Sequence, residues 1–126
     1  MHAPGRKKMS LPDYSDISKL KKGYTQKLKE LEAETKLYKE QNKDLANKEY
    51  IYRLAKSKAY IDLLAKDTKV TVIPVLAGGV AAEDRLNYKL AEGLLKATKE
   101  NLKRLHANID AYQSLLSIAK TEINLK

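Results

Sequence analysis

The chain has 126 residues, the length of a single domain. A third of it is charged and Phe, Trp and Cys are absent, which excludes a thick globular core, a disulfide framework and any Cys-based zinc or redox site. The net charge of +9 favours polyanions or anionic membranes as partners, and it is unevenly placed: residues 1–69 hold 17 Lys and Arg against 10 Asp and Glu, while residues 70–126 hold 8 against 6.

Residues 1–12 carry Pro4, Gly5, Pro12 and the run Arg6-Lys7-Lys8, and read as a flexible basic tail. They hold no apolar stretch of the kind a secretory signal needs. A first long helix is expected over 13–66. Asp13 or Ser15 is placed to cap its free N–H groups, and Asp16 suits its positive end. Positions 17, 24, 31, 38, 45, 52 and 59 read Ile, Tyr, Leu, Tyr, Leu, Tyr and Ala. This seven-residue recurrence keeps a narrow apolar seam on one side of a helix of roughly 75 Å. Leu20, Leu28, Ala55 and Leu63 supply good half-way positions, but between them fall Thr35, Asn42 and Glu49. The middle, about Glu32 to Glu49, is therefore weakly apolar, and Gly23 weakens the helix near its start.

A connector is expected over 67–80. Val70-Thr71-Val72-Ile73 is β-branched throughout and favours an extended segment, and Pro74 and Gly78-Gly79 punctuate the residues after it. The segment is read as an extended strand, a short helix, or both. Val70, Val72, Ile73, Val75 and Leu76 are too apolar for a bare loop. They cap the end of the helix pair, meet another copy or a protein partner, or dip into a membrane surface. The uncharged stretch Val70 to Ala82 falls short of the ~18–20 residues that span a bilayer, so no transmembrane helix is expected.

A second helix is expected over 81–126, with Glu83-Asp84 in its first turn. Ala91, Leu95, Thr98, Leu102, Leu105, Ile109, Tyr112, Leu116, Ala119 and Ile123 step by four and three, a seam interrupted only by Thr98. It is richer than the first helix can cover alone. Leu95, Leu102, Leu105, Ile109, Tyr112, Leu116 and Ile123 are therefore expected to form a homo-oligomer interface. The fold class implied is all-α: an elongated two-helix coiled-coil hairpin with a short, partly extended connector.

Residues that carry chemistry are sparse. His2 and His106 have no second ligand at metal spacing, and Ser114 and Ser117 have no local base. Gly78-Gly79 lacks the context that cradles phosphate. No catalytic residue, metal or cofactor is expected, and the chain reads as non-enzymatic. The basic residues offer more. Lys19, Lys21, Lys22, Lys27 and Lys29 cluster within three turns, and Arg53, Lys56 and Lys58 lie near Tyr50, Tyr52 and Tyr60. Lysine beside tyrosine suits single-stranded nucleic acid, where ammonium groups meet phosphates and rings stack on bases. Tyr52 fits the seam, so Tyr50 and Tyr60 are the expected stacking residues.

From about Tyr50 onward the chain resembles small coiled-coil proteins of tailed bacteriophages, encoded near single-strand annealing genes of the Erf type. The resemblance rests on Tyr60, Lys66, Val70-Thr71-Val72-Ile73, Gly79-Val80-Ala81, Tyr88, Leu90-Ala91-Glu92, Lys96-Ala97, Ile109, Ser114-Leu115-Leu116, Lys120 and Glu122. Pro74, Gly78 and the basic lead-in depart from that pattern. The resemblance implies a setting in phage DNA recombination or replication, in the host cell cytoplasm. Single-stranded DNA, an annealing protein or a host nuclease would be the partner. A second likeness is to prefoldin subunits, which place β structure between two coiled-coil helices. It implies an alternative role as a scaffold or adaptor that holds a protein without binding nucleic acid.

Overall fold

The computed structural model describes residues 14–124. The basic tail and the Asp13 cap lie outside these residues, and the Ser15 side chain is likewise not described. Three helices occur in chain order: α1 (Tyr14–Ala65), α2 (Ile73–Val80) and α3 (Ala82–Asn124). No strand occurs among the described residues, and the helix packing is consistent with a helical hairpin. The chain divides into two compact units. The first joins α1 up to Glu34 to α3 from Asn101 onward, and the second is Thr35–Glu100.

In the first unit, Ile17 packs with Leu116 and Ala119, joined by Leu20, Tyr24 and Ile123. Further along, Gly23 lies against the Tyr112 ring, and Gln113 Nε2 donates to Tyr24 Oη over 3.1 Å. Rising numbers on α1 meet falling numbers on α3, so the two helices run antiparallel here. Leu105 and Ile109 are buried in the same unit. Gly23, expected only to weaken α1, has a packing reason: a methyl group there would stand 2.5 Å from the Tyr112 hydroxyl oxygen.

The second unit has a thinner core, made of Ile73 and small residues: Ala59, Ala77, Ala81 and Ala91 are all buried. Each alanine adds little buried area, but it lets two helix backbones approach closely. Tyr52 on α1 and Tyr88 on α3 stack with centroids 5.9 Å apart and an interplanar angle of 18°.

All seven heptad residues of α1 are buried or half-buried, as are all ten seam residues of α3. Of the half-way positions of α1, Leu20, Ala55 and Leu63 are half-buried as expected, Glu49 is half-buried too, and Leu28 departs from expectation. Leu28, Thr35 and Asn42 are exposed, and Lys27, Glu34 and Gln41 are the shielded ones. A 3.5-residue period leaves the choice between the third and fourth residue to helix rotation, and polar neighbours give hydropathy nothing to decide with. One consequence is a shielded Gln41 side-chain oxygen with no hydrogen-bond partner. Such an orphan destabilises, and polar seam residues of this kind fix register at that expense.

The connector corrects the partly extended reading. α1 ends in a Schellman motif: Thr68 N–H donates to the Leu63 carbonyl and Asp67 N–H to the Leu64 carbonyl, both over 3.2 Å. Asp67 sits at φ 58°, the left-handed conformation that this motif requires and that aspartate tolerates better than most residues. Residues 70–72 form a turn, and Ile73 starts α2 rather than ending a strand. Pro74 occupies the first turn of α2, where its missing N–H has no intrahelical partner to lose. Gly78 and Gly79 continue the helix, since no glycine among the described residues has positive φ. The Arg85 N–H donates to the Ala81 carbonyl over 2.9 Å, so α2 passes into α3 with one irregular residue between them.

Candidate nucleic-acid and partner surfaces

The first candidate surface is on α1 in the first unit. From Ile17 to Lys29 the sequence has five lysines and no acid. Lys19, Lys21, Lys22 and Lys29 are exposed, and none makes an ion pair with another described residue. Ser18, Lys21, Lys22, Thr25, Gln26 and Lys29 line a shallow open depression of about 430 Å³. Lys27 is different: it is half-buried and pairs with Glu30 at 3.4 Å. Lys120 of α3 lines a second depression together with Lys21, Ile17, Ile123 and Asn124, and so adds a cation beside this stripe. Sequence reading missed Lys120 because only the antiparallel pairing brings it close to α1.

The second basic group lies in the second unit and is arranged around rings that already have partners. Arg53 Nη2 and Tyr88 Oη both donate to Glu49 Oε2, at 3.2 and 3.4 Å. The Lys56 Nζ stands 5.9 Å from the Tyr52 centroid, and the Lys89 Nζ stands 5.2 Å from that of Tyr88, within cation–π range. Tyr52, Arg53, Lys56, Ser57 and Tyr88 line a depression of about 530 Å³. Loss of water around the Tyr88 phenol raises its pKa above the usual value, and the Glu49 carboxylate pushes the same way. The phenol therefore stays neutral at physiological pH and donates to Glu49. Tyr88 lies three residues before Ala91, so extending the α3 seam one step backward would have found it. Of the expected stacking residues, Tyr50 is 63% exposed and available, whereas Tyr60 is half-buried. Lys58 is exposed and makes no ion pair with a described residue.

The expected oligomer seam is occupied within the chain. Leu105, Ile109 and Leu116 are buried, and Leu95, Leu102, Tyr112 and Ile123 are half-buried. Of the expected tip, Ile73 is fully buried, while Val70, Val72, Val75 and Leu76 are exposed. Among the described residues, 17 large apolar side chains are exposed, and of these Leu28, Leu115 and Ile118 belong to the first unit. The rest lie in the second unit. They include Tyr50, Leu54 and Ile61 on the outer side of α1, and Leu86, Leu90 and Leu94 on the outer side of α3.

Among the described residues no group of three His, Cys, Asp or Glu stands ready for a metal ion, and no helix is long and apolar enough to cross a membrane. His106 and Asp110 are both exposed, and no ion pair joins them. These features define an all-helical protein with a lysine stripe in one unit and apolar outer faces in the other. No known protein family, curated protein or solved structure matches the chain.

Proposed function

We propose that the protein is a non-enzymatic accessory factor of phage DNA recombination or replication that binds single-stranded DNA along the Lys19–Lys29 stretch of α1. The observation that carries this reading is a set of four exposed lysines, Lys19, Lys21, Lys22 and Lys29, that pair with no described acid and lie in a thirteen-residue stretch without acidic residues. Ammonium groups with no internal partner are the ones that gain most from phosphate, because binding releases the counterions condensed on the strand. The phage setting rests on the resemblance of the chain from Tyr50 onward. An annealing protein or a host nuclease would meet the apolar surface of the second unit.

A second reading is favoured by a different observation. Val70 and Val75, at 66% and 76% exposed, surround the turn and α2, and such a tip suits an adaptor that holds a protein partner without nucleic acid.

Fluorescence anisotropy of a labelled single-stranded oligonucleotide separates the two. Binding is expected to weaken steeply with salt, with a log–log slope of about −3 for four neutralised phosphates on a single strand. The triple variant Lys21→Glu, Lys22→Glu, Lys29→Glu is expected to bind at least ~10-fold more weakly at low salt, since each lost contact removes a counterion-release term. An unchanged affinity in that variant would remove the stripe from the account. No binding by the wild type at low salt would leave the adaptor reading.

A further inference from the structure

The two depressions of the first unit share a residue. Lys21 lines both the polar depression along α1 and a smaller one, about 290 Å³, that reaches α3. The smaller one is bordered by Ile17 and Lys21 of α1 and by Lys120, Ile123 and Asn124 of α3. Ile17 is buried and Ile123 half-buried, whereas Lys21 and Lys120 are exposed and neither makes an ion pair with a described residue. Asp16 and Glu122, the acids nearest in sequence to Lys21 and Lys120, line neither depression. Two ammonium groups on different helices thus border one hollow with no carboxylate to neutralise them. Like charges so placed repel, and an anion seated between them turns that cost into attraction. The apolar lining keeps water from one side and so strengthens both effects.

We infer that Lys21 and Lys120 hold one phosphodiester group of a single strand between them, so that the strand leaves the Lys19–Lys29 stretch of α1 and crosses onto α3. This rests on the single-stranded DNA reading of α1 and adds to it a contact on the other helix. Continuity selects the ligand. Lys29, Lys22 and Lys21 line the depression along α1, and Lys21 passes directly to the next one, so the cations form a row rather than a point. From Lys29 to Lys21 is roughly 12 Å along the helix axis, and the step to the neighbouring helix adds ~10 Å. A lone inorganic phosphate meets one end of that row, whereas a polyanion with regularly spaced charges meets all of it. The crossing has a structural consequence. The strand bridges α1 and α3 where they pair through Ile17, Leu116 and Ala119, so it recognises the paired helices and holds them together.

Anisotropy of a labelled single-stranded oligonucleotide, read across pairs of substitutions in the full chain, tests this. Lys21, Lys29, Lys58 and Lys120 are all exposed, so the fold is expected to persist in each variant, as checked by circular dichroism. Lys120→Gln is expected to weaken binding about 5-fold at low salt, the loss of one phosphate contact, and Lys120→Arg to keep the wild-type affinity. Lys58→Gln removes the same charge from the second unit and is expected to bind like wild type. Because Lys21 and Lys120 share a phosphate, Lys21→Gln and Lys120→Gln together are expected to cost clearly less than the product of their separate effects. Lys29→Gln and Lys120→Gln, which act on different phosphates, are expected to multiply. An affinity unchanged by Lys120→Gln, while Lys21→Gln and Lys29→Gln weaken binding, would overturn the crossing and leave the α1 reading in place. No loss in any of these variants would overturn both. Equal losses from Lys58→Gln and Lys120→Gln, or multiplicative effects at Lys21 and Lys120, would also overturn the inference, the first because net charge alone is then sensed, the second because the two lysines then meet different phosphates.

Discussion

Replacing Leu105 with alanine is expected to lower stability by about 3 kcal/mol, the usual cost of truncating a fully buried leucine. Leu105 is 2% exposed, and it sits between Leu102 and Ile109 on the seam of α3. Its loss leaves a void that only α1 on the other side can partly close. A two-helix layer has no second shell to draw on, so the loss is a large fraction of a domain's ordinary margin of about 5–15 kcal/mol. Urea unfolding followed by circular dichroism measures the change. The matched control is Leu115→Ala, 49% exposed, which is expected to stay within about 0.5 kcal/mol of wild type. Equal losses in the two variants would mean that the seam is not where the first unit holds together.

The second large effect is expected at Gly23. In an open helix, Gly→Ala gains about 1 kcal/mol because alanine loses less conformational freedom. Here the added methyl would stand 2.5–2.7 Å from three atoms of the Tyr112 ring, so the ring must move first. Gly23→Ala is therefore expected to yield none of that gain, and Gly23→Leu to cost about 2 kcal/mol through overpacking. The sign depends on Tyr112. In a Tyr112→Ala background the space opens, and Gly23→Ala is expected to stabilise by roughly the full propensity difference. Thermal unfolding of the four chains in this cycle gives the coupling directly. Additive effects would show that Gly23 and Tyr112 do not share the space described.

These expectations depend on elements whose legibility in the sequence varied for physical reasons. The α3 seam was readable because apolar residues recur without ambiguity from Ala91 to Ile123, and each is shielded. The α1 heptad was readable for the same reason. Its half-way positions Leu20, Ala55 and Leu63 were readable too, but in the middle residues 34–35 and 41–42 are polar, and only contact with the other helix decides which turns inward. The connector was misread where local propensity and tertiary burial disagree. Val70-Thr71-Val72-Ile73 has strand propensity, but the described residues contain no second strand to pair with it. Ile73, Ala77 and Ala81 instead continue the shielded stripe of α3 at helical spacing and are fully buried. Burial on a pre-existing stripe outweighs the small β preference of four residues. The candidate site had the same pattern. The lysine cluster was visible as composition, whereas the pairing of Lys27 with Glu30 and of Arg53 with Glu49 needed side-chain positions. That pairing reduces the basic residues to the few still available for an anion.

Under the proposed function, anion binding lies on the unpaired lysines of the first unit rather than on the basic residues around Tyr52. Lysine acetylation footprinting with and without a single-stranded oligonucleotide, read by mass spectrometry, tests it most directly. Protection of Lys19, Lys21, Lys22 and Lys29 is expected on adding DNA, with Lys56, Lys58 and Lys89 labelled as before. Protection confined to Lys56, Lys58 and Lys89, or no change at any lysine under conditions where DNA is bound, would contradict it.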